Sequence, residues 1–277
     1  MLQKYIVRKT VKSAIEEDAG QADVTTAAAL TGEETGKARA LAKSAVVVAG
    51  IDVFKETFLF LDPDLQFKDC CKDGDVVKEG GCLAEISGKL SSMLTAERVA
   101  LNFLQRMSGI ATLTRRYVDE VKGTKAKILD TRKTAPGLRY LDKYAVRIGG
   151  GQNHRFGLYD GVLIKDNHIA AAGGISQALA RVRGRLPHTL KVEIEVKNLQ
   201  ELKEAVNSGA DVIMLDNMSL EDMRKAVAAT GGSVPLEASG NVSLANVRKI
   251  AETGVDFISV GALTHSAAAA DISLQIA

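Results

Sequence analysis

The chain has 277 residues, 46% of them hydrophobic, enough to bury a full core as one large domain or two unequal ones. Its 36 basic and 34 acidic residues leave a net charge of +2, so no overall field argues for nucleic acid or an anionic membrane as partner. The longest apolar run, residues 45–51, is far too short to span a bilayer, and a cytoplasmic protein is expected.

The opening stretch MLQKYIVRKTVKSAIEED spaces Leu2, Ile6, Val7, Val11, Ala14 and Ile15 at helical intervals among charges. That pattern predicts a packed amphipathic helix and not a secretory signal. Two β-type runs follow, KARALAKSAVVVAGI and VVKEGGCLAEISGKL, with a helical stretch from Val53 to Leu61 between them. The segment DGDVVKEGGCLAEISG has the strand and turn spacing of lipoyl-type half-barrels but lacks their lysine hairpin tip, so a β-rich lobe without a swinging cofactor is expected. Three cysteines, two of them adjacent at Cys70 and Cys71, form neither a disulfide framework nor a metal-ligand spacing and read as reduced structural thiols.

A long helical pattern, TAERVALNFLQRMSGIATLTRRYVDEV, begins after the N-cap candidate Thr95, and the chain divides near residue 105. Beyond it lie seven short apolar runs: AKILD, AVRIG, GVLIK, KVEIEV, DVIMLD, VPLEAS and DFISVG. Helical patterns such as NLQELKEAVNSG, SLEDMRKAVAATG and SLANVRKIAETG fill several gaps, which implies parallel β/α units. AVNSGADVIML (205–215) and IAETGVDFISV (250–260) align without a gap, each a helix end, a glycine cap and a strand. Seven such strands predict an α/β barrel short of the usual eight, with an open doubly wound sheet as the structural alternative.

In α/β barrels the chemistry sits where strands end and loops begin. The strand ends read, in order, Asp130-Thr131-Arg132-Lys133, then Gly149 to Arg155, then Lys165 to His168, Glu195, Asp216-Asn217, Ser239-Gly240-Asn241 and Gly261-Ala262. The first three bring Arg132, Lys133, His154, Arg155 and Lys165 toward one mouth, and the next two supply carboxylates. Clustered cations repel one another unless an anion binds, so the cluster predicts a substrate with several negative charges. The guanidinium fork favours carboxylate or phosphate. Taken singly, each charge would more often be a solvated loop residue or an ion-pair partner; their placement after successive strands carries the reading. Lys165 at a strand end also allows a Schiff-base role. The small residues of EASGN and SVGAL offer backbone N–H groups to a phosphate, or else only make tight turns.

The segments EDAGQADVTT, AERVALNFLQRMSGIAT, ILDTRKTAPGLR, AVRIGGGQNHRFGLYDGVLIKDNHI, VEIEV, DVIMLDN, EASGN and VGALTHS together resemble the quinolinate phosphoribosyltransferase family over nearly the whole chain. One departure is Ala22 before Asp23, where that family usually has glycine. The resemblance implies an incomplete seven-stranded α/β barrel (106–266) with an N-terminal α/β sandwich lobe (1–105) to which residues 267–277 return. It implies transfer of phosphoribosyl from phosphoribosyl pyrophosphate to quinolinate with decarboxylation, in homodimers with shared active sites that could assemble further.

By the same resemblance, Arg132, His154, Arg155, Lys165 and the Arg98 of a second copy would hold the dicarboxylate, with Lys133 between it and the sugar. Glu195 and Asp216 would face the ribose hydroxyls and Mg²⁺, directly or through water. Thr131, Ser239, Gly240, Asn241, Val260, Gly261 and Ala262 would complete the substrate site, and Lys133, Glu195 and Asp216 would be its catalytic residues. Competing expectations are a paralogue of the molybdate-transport-associated type with another substrate, a Schiff-base lyase and a non-catalytic anion-binding barrel.

Overall fold

The computed structural model describes residues 2–276, whose contacts divide into two compact units. The first runs to Arg115 and takes in Ala135–Gly150 and the segment from Ala267 onward; the second comprises Arg116–Thr134 and Gly151–Ser266. The first contributes strands β1 (Thr35–Ala42), β2 (Val46–Val47), β3 (Gln66–Asp69), β4 (Val76–Val77) and β5 (Cys82–Lys89). The second contributes β6 (Lys127–Leu129), β7 (Val162–Ile164), β8 (Val192–Val196), β9 (Val212–Asp216), β10 (Leu236–Ser239) and β11 (Phe257–Ser259), before β12 (Ile272–Ile276) rejoins the first.

The first unit is an antiparallel sheet in the order β12-β1-β5-β3 covered by helices. Small inward residues of the sheet, Ala38, Ala40, Ala42 and Ala84, let the helices come close, and Phe54 and Phe58 fill the space between. Those two rings meet edge to face at 5.0 Å. They belong to the helix Ile51–Leu61, which agrees with the helical stretch expected at 53–61. The N-terminal helix is Lys4–Asp18, and it buries Val7, Val11 and Ile15, three of the six residues that its spacing singled out. Cys70 is exposed and Cys71 and Cys82 half-buried; burial pushes the thiols of Cys70 and Cys71 up, to about 11 and about 12, which disfavours the reactive thiolate.

The long helix starts earlier than expected. It is Leu90–Glu120, continuous with β5, and Thr95 lies inside it with its hydroxyl donating to the Ser91 carbonyl. A threonine can satisfy its hydroxyl this way within a helix, so the cap signal at that position was misleading.

The run AVRIG also differs, being the end of the helix Arg139–Ile148 in the first unit and not a barrel strand. A short apolar run does not distinguish strand from buried helix, and Leu141, Ala145 and Val146 keep a helical spacing. Between Leu141 and Ala145 lies Asp142, fully buried, which accepts two hydrogen bonds from Arg106, each 2.8 Å, and one from the Ala135 N–H.

The second unit is an incomplete α/β barrel with six parallel strands among the described residues, in the order β6-β11-β10-β9-β8-β7. The position expected for a seventh strand is reduced to a single parallel bridge between Gln152 and Leu129 on the free edge of β6. The aligned segments each close a helix with a left-handed glycine, Gly209 at φ 77° and Gly254 at φ 92°, and enter β9 and β11. Asn198 and Ser219 cap the helices Leu199–Asn207 and Leu220–Thr230 by accepting backbone N–H groups three residues on. No helix among the described residues is long and apolar enough to cross a membrane.

Asp142→Ala removes a buried carboxylate and leaves the half-buried Arg106 guanidinium without its bidentate acceptor. It should therefore cost about 1.5–3 kcal/mol of stability. Urea unfolding followed by circular dichroism measures this, and an unchanged midpoint would refute the assignment.

Candidate active site

Strand alternation builds the site. In β8, Val192, Ile194 and Val196 are fully buried on the outer face under the helices, which turns Glu193 and Glu195 inward. The same alternation turns Glu237 and Ser239 inward from β10, and Ser259 from β11. Ser239 pairs in register with Asp216 on β9. The barrel interior is thus layered: Glu193, Glu237 and Ser259 lie deep, and two residues further along each strand come the rim positions Glu195, Ser239 and Gly261.

The rim encloses a cavity of about 820 Å³. Thr131, Arg132 and Lys133 enter it after β6, His154 and Arg155 after the Gln152 bridge, and Lys165 after β7. Glu195, Asp216 and the Ser239-Gly240-Asn241 turn face it from β8, β9 and β10, and Gly261-Ala262 from beyond β11. Two expected residues are not among those lining it. Val260 is buried beside the cavity lining, and Arg98 lies exposed on the helix Leu90–Glu120 of the first unit.

Asp130, fully buried, fixes the cationic wall. Its carboxylate accepts the His154 N–H at 2.9 Å and the Asn153 side-chain amide, so the loop is tied to the end of β6. The glycines before it do other work: Gly149 lies so close to the helix Leu90–Glu120 that a Cβ would sit 2.5 Å from the Ala111 carbonyl, and Gly150 has φ 97°. Neither glycine lines the cavity.

His154 is engaged at both ring nitrogens. Nδ1 accepts the Arg155 N–H at 2.7 Å, which puts the ring proton on Nε2, 2.9 Å from Glu193 Oε2. Arg155 donates to the Gly161 carbonyl at 3.1 Å, and burial, with the charge of Arg132 second, lowers its pKa. Two guanidiniums held close enough to repel in a half-buried wall favour an incoming anion. The Lys165 ammonium is half-exposed and paired with Glu195 at 3.0 Å, the opposite of the desolvated amine that Schiff-base chemistry requires.

On the opposite side a chain of amides aims Asp216. Asn217 donates from Nδ2 to Asp216 Oδ1 at 3.0 Å and accepts from Asn241 Nδ2 at 3.1 Å. Both asparagines adopt left-handed backbone, φ 53° and 50°, and are the non-glycine residues that do so among those described. Gly240 between the two turns is obligatory, since a Cβ there would fall 2.1 Å from Asn217 Oδ1. At the last strand end, Thr264 donates to the Lys133 carbonyl at 2.7 Å, and a Cβ on Gly261 would sit 3.0 Å from the Lys133 side chain.

Sequence reasoning passed over Glu237, Ser259 and His265 in the lining, and Glu193 behind it. Three of these four had a usable signal: Glu193, Glu237 and Ser259 each stand two residues before a rim position already chosen. His265 had none, since it lies on a short helix, Ala262–His265, past the last strand.

Comparison with known proteins agrees with this architecture. Residues 23–108 match the quinolinate phosphoribosyl transferase N-terminal domain and residues 110–275 the C-terminal domain. The chain is 44% identical over 270 residues to the probable nicotinate-nucleotide pyrophosphorylase (carboxylating) of Bacillus subtilis (strain 168), covering 98% of this chain and 93% of that protein. It is 47% identical over 291 residues to the chloroplastic nicotinate-nucleotide pyrophosphorylase (carboxylating) of Arabidopsis thaliana, covering 98% and 83%. The crystal structure of NadC from Streptococcus pyogenes superposes with a TM-score of 0.97 at 42% identity, over 100% of this chain and 98% of that one. The chain belongs to the quinolinate phosphoribosyltransferase family.

Proposed function

We propose that the protein transfers the phosphoribosyl group of phosphoribosyl pyrophosphate to quinolinate with loss of CO₂, giving nicotinate mononucleotide and pyrophosphate for de novo NAD synthesis. The observation that carries this reading is the composition of one rim: Arg132, Lys133, Arg155 and Lys165 facing Glu195 and Asp216 around a cavity of about 820 Å³. Anion binding alone needs no carboxylates in a cationic mouth, whereas a reaction that develops positive charge on a sugar does.

In this reading Arg132, Arg155 and Lys165 take the two carboxylates of quinolinate, and His154 forms part of the wall beside them. The Ser239-Gly240-Asn241 turn and Gly261-Ala262 take phosphate through backbone N–H groups. Glu195 and Asp216 face the ribose. They offer the hard oxygen donors that Mg²⁺ prefers, so the pair fits that ion, bound directly or through water. When bound there, Mg²⁺ would offset the charge of the pyrophosphate.

As the C–O bond to pyrophosphate breaks, Glu195 and Asp216 stabilise the positive charge growing on the ribose ring. The pyridine nitrogen of quinolinate forms the new bond to the anomeric carbon. The bond from ring C2 to its carboxylate then breaks, CO₂ leaves, and the electron pair stays on C2 beside the cationic nitrogen. Lys133, placed between the dicarboxylate and sugar sites, gives C2 its proton.

The exposed Arg98 is the group a second copy would supply, which makes the working unit a homodimer with shared sites, in the cytoplasm. This reading assigns Arg98 a charge-pairing role with the dicarboxylate of the neighbouring copy's site.

Arg132→Ala and Arg155→Ala should each raise the quinolinate KM about 30-fold or more, the factor that ~2 kcal/mol represents. Steady-state kinetics with quinolinate varied would detect it, and unchanged KM in both variants would exclude the dicarboxylate assignment. Mixing inactive Arg98→Ala chains with inactive Lys133→Ala chains should restore about a quarter of wild-type activity, since random pairing leaves one intact site in half of the dimers. No recovery on mixing would rule out a site shared between copies.

A further inference from the structure

Beneath the rim cations lies a polar layer that the proposed chemistry leaves unused. Glu237 on β10 is 2% exposed and Glu193 on β8 is 7% exposed. His154 Nε2 stands 2.9 Å from Glu193 Oε2 and 3.7 Å from Glu237 Oε2. The other carboxyl oxygen of each glutamate is buried without a hydrogen-bond partner. Glu237, unlike Glu193, also forms part of the cavity lining, at its floor.

Two ionised carboxylates in this position would repel each other with little water to screen them, and the single imidazole of His154 does not offset both. Burial first, and the charge of Glu193 second, push Glu237 up to about 8, with His154 acting in the opposite direction. The groups facing Glu237 are Glu193 from β8, His154 from the loop after Gln152 and Ser259 from β11. Above them, Arg132, Lys133, Arg155 and Lys165 line the mouth with Glu195 and Asp216.

We propose that Glu237 is a positioning residue that must be a neutral acid for the dicarboxylate to bind. As a neutral acid it donates its proton to Glu193, whose other contact then holds the His154 ring in place, and the floor carries one negative charge where two would stand. Ionised, Glu237 sets a second buried charge under the site that receives the substrate anion. It also competes with Glu193 for the Nε2 proton of His154. This inference rests on the reading of the substrate as a dicarboxylate.

The sign follows from the direction of titration. Glu237 is neutral below its folded pKa and loses its proton as pH rises through about 8, so binding weakens on the alkaline side. For a group that must be protonated, the quinolinate KM of the wild type should rise about tenfold between pH 7 and pH 9, while the KM for phosphoribosyl pyrophosphate does not follow it. Glu237→Gln mimics the neutral acid, and its ratio of quinolinate KM at pH 9 to that at pH 7 should fall within about twofold. A structural role alone would lower stability or kcat and leave that ratio where it was.

Retention of the alkaline rise in Glu237→Gln, or its absence in the wild type, would overturn the inference. Should the variant not fold, infrared difference spectra of the wild type answer the same question. A carboxylic acid carbonyl band present at pH 7 and lost through pH 8 supports the neutral acid, and no such band at pH 7 refutes it. Product formation by the wild type keeps the two readings apart: turnover without the pH effect sinks only this inference, and no turnover sinks the functional reading beneath it.

Discussion

A parallel strand whose outer face is covered by helices has only one side on which to carry polar groups, and the site depends on that constraint. In β8 the apolar Val192, Ile194 and Val196 take the covered face, which leaves Glu193 and Glu195 no direction but inward. Repeated around the barrel, the rule collects carboxylates, hydroxyls and cations in one enclosed mouth. Residues from six strand ends and one bridge thereby become neighbours although they are spread from Thr131 to His265.

That concentration creates an electrostatic problem in two layers. At the rim, cations outnumber acids, and the Lys165–Glu195 pair offsets part of the excess. The rest is offset when an anion arrives, which is why the same arrangement that costs stability favours binding. In the deeper layer the excess is negative, and a proton on Glu237 relieves it. Asp130 and the Asn217–Asn241 pair hold the two sides of the rim in position, one through a buried carboxylate and the other through strained left-handed turns.

Much of this was legible in the sequence because it followed a period. The β/α alternation, the glycine-capped repeat at 205–215 and 250–260, and the charged strand ends all come from local patterns that the fold keeps. What was misread lacked one. AVRIG carries an apolar run too short to separate strand from helix, and its helix is settled by tertiary partners such as the Asp142–Arg106 pair. Thr95 is an adequate cap residue, but the chain continues into helix directly from β5. Gly149 answers to a close approach to the helix Leu90–Glu120, which no local pattern encodes. Glu193 and Glu237 follow the same two-residue period but lie inside β8 and β10, two residues before the rim positions where barrel chemistry is expected.

The central claim is that one mouth joins a dicarboxylate to a sugar and then releases one of its carboxylates. The most direct measurement uses quinolinate carrying ¹³C in the 2-carboxylate, with phosphoribosyl pyrophosphate and Mg²⁺, and follows labelled CO₂, pyrophosphate and nucleotide by mass spectrometry. The account predicts one labelled CO₂ and one pyrophosphate for each nicotinate mononucleotide formed. Nucleotide that keeps the label, or quinolinate that binds and is never consumed, would contradict it.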